Sequence, residues 1–550
     1  MSGKTSAVHR IVLILLGLAF GLELHAEKAQ RPNIIVFLVD DYDKPETSVY
    51  GGKVLTPNLD RLAREGMTLH NAHVTSTVCT PSRYTFLTGR YAGSSTSRTY
   101  LDLFPEGKQG LPAFNVSLER DNMNVAKVLA DAGYATGFVG KYHVGEGFDD
   151  PKRNGLHDLP KNVPFSREID RQHFENEKRY RDLIKERGFT WAKNIYWNNT
   201  KAPFKGHNPE WTIAAALEFV EENKDQPFYL HYCTTLLHGP NGEWHNSLET
   251  KALMSGEGRL KKPVPGMPPR SSVMKRIVEA GLTTNEAGYL WMDDTLGLLL
   301  DKLDELKLAE NTIVLFVSDH GSNKKGSLFR TRGTEIPCLI RWPKVIGGGV
   351  ESDELVQNTD FVPTWFEVAG ARAPNSYRID GVSLLPLLKN PKQAVRTYVY
   401  GEQGPARSIK TEEWNYITFR YTTDQIEGLN GRRGARFSKT LLGLSGGISR
   451  SAFEHPYAFD ADQLYHLKSD PEERSNVAVD RTHSRQLKKM REFLKLELER
   501  FDRPFGDFRP GGNASGRRDS LKVLEQLKDY HEDTDDPKRQ KRRRKSGKTD

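Results

Sequence analysis

Two runs constrain this chain more than anything else in it: NIIVFLVDD at 33–41 and NTIVLFVSDH at 311–320. Each is an apolar stretch of strand length that ends in carboxylate or imidazole side chains. A strand apolar at successive positions cannot turn one face to water, so both are read as parallel strands covered on both sides by helices. Helical patterns stand between them: TPNLDRLAREG (56–66), NMNVAKVLADAG (122–133) and NEAGYLWMDDTLGLLLDKLDELKL (285–308), the first two stopped by Gly. YATGFVGKYHVG (134–145) and QPFYLHYCTT (226–235) supply further strands. The predicted fold class is therefore α/β, a large, mostly parallel sheet sandwiched by helices.

After residue 390 the character changes. TYVYGEQG, EEWNYITFRYTTD and DADQLYHLKSDPEERS are short aromatic and β-branched runs separated by turns. They predict a smaller C-terminal α+β domain on an antiparallel sheet, closed by the helix SRQLKKMREFLKLELERF. The expected domains are 31–390 and 391–510. Residues 146–210, polar and rich in Lys, Arg and Asn, read as an insertion or long lid, and 240–275 as loop. No internal repeat is found.

The two ends read differently. A basic start, the apolar stretch IVLILLGLAFGL and a polar continuation match a secretory signal peptide cleaved after Ala26. The expected location is secreted or periplasmic. Downstream, no run approaches the roughly 20 apolar residues of a membrane span. The formal net charge of +8 is a property of the tail: residues 538–548 hold eight of the 80 Lys and Arg, and the 72 that remain equal the 72 Asp and Glu. Residues 511–550 are thus expected to be a basic, disordered tail, with no specific nucleic-acid partner implied. Three cysteines in 550 residues exclude a disulfide scaffold and a multi-cysteine metal centre. Cys233 and Cys338 sit in strand-like runs and read as buried core thiols.

In open α/β sheets, function gathers at the carboxyl ends of the strands. Here those ends carry Asp40-Asp41 and Asp319-His320. Adjacent carboxylates repel unless a cation or basic groups stand between them. A donor set of mostly carboxylates favours calcium or magnesium over zinc, and the imidazole keeps manganese open.

The most specific motif is C-T-P-S-R at 79–83, continued by Y-T-F-L-T-G-R to Arg90. An ordinary buried thiol beside a Pro turn is the competing reading of Cys79. The motif resembles that of the type I sulfatases, the formylglycine-dependent branch of the alkaline phosphatase superfamily. GYATGFVGKYHVG resembles their G-K-W-H-L-G box, with Tyr142 in place of Trp. TTLLHGP, VSDHG, NTDFVPTWFEVAG and LYHLKSDPEERSNVA resemble further landmarks, so that the likeness runs over about residues 31–485.

The resemblance implies an alkaline phosphatase-like fold and hydrolysis of sulfate monoesters. It implies a maturase that converts Cys79 to formylglycine, and one calcium ion per chain, with magnesium or manganese as alternatives. Its metal ligands map to Asp40, Asp41, Cys79, Asp319 and His320, the last standing where many members have Asn. Its catalytic residues map to Cys79, Arg83, Lys141, His143, His238 and Lys325. After SDHG this chain reads NKKGSLFRTRGTEIP, one residue longer than the usual text, so Lys324 remains an alternative to Lys325. In the implied mechanism one hydroxyl of the hydrated aldehyde attacks sulfur and the other expels sulfate. His143 acts as base in that second step, and His238 and Lys325 serve the leaving oxygen. Arg83 and Lys141 hold the modified residue.

The substrate expected from family habit and export is a sulfated carbohydrate or polysaccharide. Two other readings compete: a phosphate or phosphonate monoester hydrolase of the same superfamily, and an inactive protein that captures sulfated glycans. Trp244 and His245 are candidates for a substrate rim.

Overall fold

The computed structural model describes residues 31–506, apart from 122, 147–150, 240, 251–252, 421–448, 454 and 459. The expected signal peptide and basic tail lie outside the described residues.

The large sheet has eight strands. In chain order they are β1 (Asn33–Val39), β2 (Met67–Leu69), β3 (Ala135–Lys141), β4 (Trp191–Tyr196), β5 (Phe228–Cys233), β6 (Thr312–Ser318), β7 (Cys338–Arg341) and β8 (Val350–Ser352), and their spatial order is β8-β2-β7-β6-β1-β5-β3-β4. β6, β1, β5, β3 and β4 pair in parallel, whereas β7 runs antiparallel to both β6 and β2. The most apolar runs, β1 and β6, lie side by side at the centre, with Ile34 opposite Ile313 and Val39 opposite Ser318.

Each face of β1 enters a different core. Ile34, Val36 and Leu38 pack with Phe86, Phe361 and Trp365. Ile35, Phe37 and Val39 pack with Leu59, Leu62, Phe219 and Leu296. The helices that cover the sheet are α1 (Pro57–Glu65), α2 (Cys79–Thr88), α3 (Val125–Asp131), α4 (Arg167–Lys185), α5 (Pro209–Glu222), α6 (Ala287–Glu305) and α7 (Phe361–Ala369). Burial of both faces explains why alternation is absent from the β1 sequence.

Part of the polar segment at 146–210 is integral to the sheet. It holds α4 and then β4, which pairs with β3 at the sheet edge. An edge strand has one neighbour and needs few apolar residues, so WAKNIY carries a weak strand signal. The stretch 240–275 likewise holds a helix at Asn241–Glu249.

The smaller sheet is an antiparallel meander of β9 (Val399–Gln403), β10 (Ala406–Lys410), β11 (Trp414–Phe419) and β12 (Asp462–His466). Helix α8 (Ser484–Leu498) covers it through Met490 and Leu494, which pack with Ile409, Tyr416 and Leu464. This sheet grips the chain on both sides of α2. Glu402 N–H donates to Thr75 O at 2.7 Å, and the Glu402 carboxylate accepts from Gly93 N–H at 2.7 Å.

Candidate active site

Helix α2 begins at Cys79, and all ten of its residues are buried. Pro81 is in its first turn, where its missing N–H costs no intrahelical bond. One turn on, Arg83 lies on the same face as Cys79. Gly89, at φ 65°, closes the helix. The helix start directs its unpaired N–H groups and the positive end of its dipole at position 79, a setting suited to an anion.

Asp40 and Asp41 follow β1. In an extended chain their side chains would point to opposite sides. Asp41 instead adopts φ 59°, with its N–H donating to Asp319 Oδ1 at 3.1 Å. Both carboxylates thereby reach the same space: one ligand atom each of Asp40, Asp41, Cys79 and His320 lies within 4.8 Å of every other. Oxygen donors about 2.3–2.6 Å from a calcium ion are at most about 5 Å apart, so the span fits. The thiol of Cys79 stands where a formylglycine would present an oxygen. Asp319 stands beside this group. Its carboxylate faces Arg83, at 3.0 Å from Nε and 2.9 Å from Nη2, and lies 3.7 Å from His320 Nε2.

Around Cys79 Sγ, His320 Nε2 is at 3.3 Å, Asp40 Oδ1 and Lys325 Nζ at 3.6 Å, and Lys141 Nζ at 3.8 Å. Lys141 pairs with Asp40, and Arg83 donates to Lys141 O at 3.0 Å. Lys141 follows a bulge at Val139/Gly140. Gly140, at φ 88°, is required there, because a Cβ would lie 1.8 Å from Cys233 O.

The two lysines diverge in space. Lys325 Nζ lies 2.8 and 3.0 Å from the Asp41 carboxylate oxygens. Lys324 lies over the Phe329 ring and donates to Ser451 O at 3.4 Å.

His143 is buried with φ 56°, and its N–H donates to Trp197 O at 2.9 Å. His238 is half-buried, and its Nε2 meets Asn199 Nδ2 at 3.0 Å.

The electrostatics follow from this packing. Asp40, Asp41 and Asp319 are matched by Arg83, Lys141 and Lys325, so a divalent cation would leave the pocket positive, as an anionic ester requires. Burial would raise Asp40, but Lys141 and Arg83 outweigh it and hold the carboxyl well below its usual range. Asp41 falls to about 2, where Lys325 and His320 overcome burial. Burial disfavours the thiolate of Cys79, yet Lys141 and Lys325 pull the thiol down. Burial, aided by Lys141, lowers His238 to about 3 and holds His143 well below the ordinary range, so both rings are neutral.

The sequence assigned no role to several residues here. Asp43 accepts from Ser322 N–H at 2.7 Å and Asn323 N–H at 3.2 Å, shaping the loop that delivers Lys325. Ser82 Oγ donates to Asp319 O at 2.5 Å. Asn199 reaches His238 from the segment read as a lid. Only the D-D-Y-D spacing hinted at Asp43. Trp244 and His245 form no rim: Trp244 is buried against Gly288, and His245 Nε2 bonds to Thr284 O.

A family model described as Sulfatase matches residues 32–371. The chain belongs to the sulfatase family. It is of the type I, formylglycine-dependent branch, in the alkaline phosphatase superfamily, and is a sulfuric ester hydrolase. A second model, N-sulphoglucosamine sulphohydrolase, C-terminal, matches residues 319–433. This sulfatase is 26% identical to the ulvan-active sulfatase of Formosa agariphila over 475 residues, covering 83% of this chain and 78% of that one. It is 24% identical to the N-acetylglucosamine-6-O-sulfatase of Bacteroides thetaiotaomicron over 531 residues, covering 84% and 92%. A solved structure from work on glycosaminoglycan metabolism by Bacteroides thetaiotaomicron superposes with a TM-score of 0.59 at 22% identity, covering 86% of this chain and all of that one, which establishes the shared fold.

Proposed function

We propose that this chain is an exported sulfatase that removes sulfate from a sulfated carbohydrate, using a formylglycine made from Cys79 and one divalent cation, calcium foremost. The observation that carries the reading is the ring of His320, Lys325, Asp40 and Lys141 within 3.3–3.8 Å of Cys79 Sγ at the start of a buried helix. Asp40, Asp41 and His320 would hold the cation, with Asp319 beside them, and it would supply charge to the sulfate oxygens and acidity to a neighbouring hydroxyl.

The chain's own residues divide the rest. Lys141 and Lys325 reach position 79 from opposite acidic partners and donate to sulfate oxygens. Arg83, fixed by Asp319, holds the residue at 79 in place through the helix they share. His143 is neutral and buried, so a ring nitrogen can accept the proton lost as sulfate is released. His238 is also neutral and donates one hydrogen bond to the ester's leaving oxygen. Lys325, kept protonated by Asp41, is a source of a proton for the departing alcohol. Carbohydrate as the substrate is supported by the ulvan and N-acetylglucosamine-6-sulfate activities of the relatives. Export is supported by the apolar run before Ala26.

The test combines mass spectrometry of the Cys79 peptide, from protein produced with a maturase, with sulfate release from ulvan oligosaccharides and N-acetylglucosamine-6-sulfate. An aldehyde at 79 with sulfate release is expected. An unmodified thiol in an active protein would overturn the nucleophile. Turnover of aryl sulfates alone would overturn the carbohydrate.

A further inference from the structure

Next to His238, a cavity of about 200 Å³ opens between the loop at 156–161, the helix α4 and the segment 196–201 that follows β4. It is smaller than the roughly 300–1,000 Å³ of typical small-molecule pockets, and so suits one ring rather than a long chain. Its inner wall is Trp197 stacked on Tyr180 at 4.8 Å. The same Trp197 backs Tyr142, and its carbonyl takes the His143 N–H. The cavity and the catalytic loop therefore share a wall.

The cavity is built before any ligand arrives. Asn176 clamps its outer loop by accepting from His157 N–H at 2.7 Å and donating to His157 O at 2.9 Å. Asn162 N–H closes the loop onto Ala202 O at 3.0 Å. The lining includes Asn198 and Asn199 with their amides, the exposed Lys161 and Lys201 and, as its carboxylate among the described residues, Asp158. Neutral amides and two ammonium groups above an aromatic wall are the donors and surfaces that recognise a hydroxylated ring bearing negative charge. Outside the rim, Phe165 is 40% exposed, with Arg259 over its ring.

We propose that this cavity is the subsite for the sugar that adjoins the sulfated one, a ring carrying a carboxylate or second sulfate that meets Lys161 and Lys201. Asn199, shared between the cavity and His238, aligns the imidazole with the leaving oxygen when that ring is seated. The inference rests on the carbohydrate reading above. It places substrate selection in the segment 156–201, outside the residues that surround Cys79.

The test uses the matured full chain. The probes are sulfated disaccharides whose second ring is a uronic acid or a neutral sugar, with an aryl sulfate alongside. The readout is the ratio of kcat/KM on disaccharide to that on aryl sulfate. The Asn198→Ala and Lys201→Ala substitutions, singly and together, are expected to lower this ratio by about tenfold or more, mainly through KM, as loss of charge-assisted contacts does. Lys161→Ala, at another exposed position that leaves the fold intact, is expected to erase the preference for the acidic second ring. A ratio unchanged in all variants, including one in which both activities fall together, would overturn the subsite. A wild-type enzyme that cleaves the aryl sulfate and no disaccharide would overturn the carbohydrate reading itself.

Discussion

Lys325 places its ammonium 2.8 and 3.0 Å from the two carboxylate oxygens of Asp41, while Lys324, one residue earlier, turns away across Phe329. Replacing Lys325 by Ala is expected to lower kcat/KM by about 10²–10³, the usual loss for one donor aimed at developing charge. Lys324→Ala is expected to keep most of the activity. Steady-state turnover of an aryl sulfate by the two matured variants decides it; equal losses would mean that the loop, and not the ammonium, matters.

Arg83 and Asp319 form an ion pair that is completely enclosed, with side-chain exposures of 1% and 0%. Removing one partner of such a pair leaves the other charge without compensation. Arg83→Met is therefore expected to destabilise the fold by about 3–5 kcal/mol. Arg83→Lys keeps a charge but cannot reach the Asp319 carboxylate and Lys141 O together, so it should recover only part of the loss. Urea denaturation of the three proteins measures both effects.

His231 lies in β5, 1% exposed, with Nδ1 2.8 Å from the Tyr229 hydroxyl. Burial, with a smaller push from Arg83, lowers it to about 3. Between its ordinary value of 6.5 and that value, the unfolded chain binds a proton that the folded chain refuses. This group therefore removes stability as pH falls through that window, at about 1.4 kcal/mol per pH unit at most. Asp43 and Asp293, each raised to about 7 by burial, act in the opposite sense, so the group is isolated by difference. The stability of His231→Phe relative to wild type is expected to climb as pH drops from 6.5 towards 4, and paired denaturation curves would show a flat difference if the ring were not held neutral.

The Asp40, Asp41 and His320 side chains should make stability depend on a divalent cation. After chelation, added calcium is expected to raise the thermal midpoint. The gain should be about 2.7 kcal/mol at a hundredfold excess over Kd, because only the folded state assembles the site. Asp40→Asn and Asp41→Asn should shrink or abolish this response. A midpoint indifferent to calcium, magnesium and manganese would argue against the cation.

Much of this was legible from the residues alone. An apolar run such as NIIVFLVDD has one stable home, the middle of a covered parallel sheet, and its terminal acids must then emerge at the sheet's functional edge. The spacing of Cys79 and Arg83 is one helical turn, so their common face follows from local geometry. Tertiary structure decided what depends on distance between segments far apart in the chain. The left-handed turn at Asp41 is held from Asp319, 278 residues away, and it brings two carboxylates together that an extended chain would separate. The choice between Lys324 and Lys325 depends on Asp43 and Ser451, and the partner of His238 comes from an edge-strand loop with no periodicity to announce it. Local patterns record the conformations a segment prefers, whereas a site is a set of long-range contacts that exists only when the sheet has assembled.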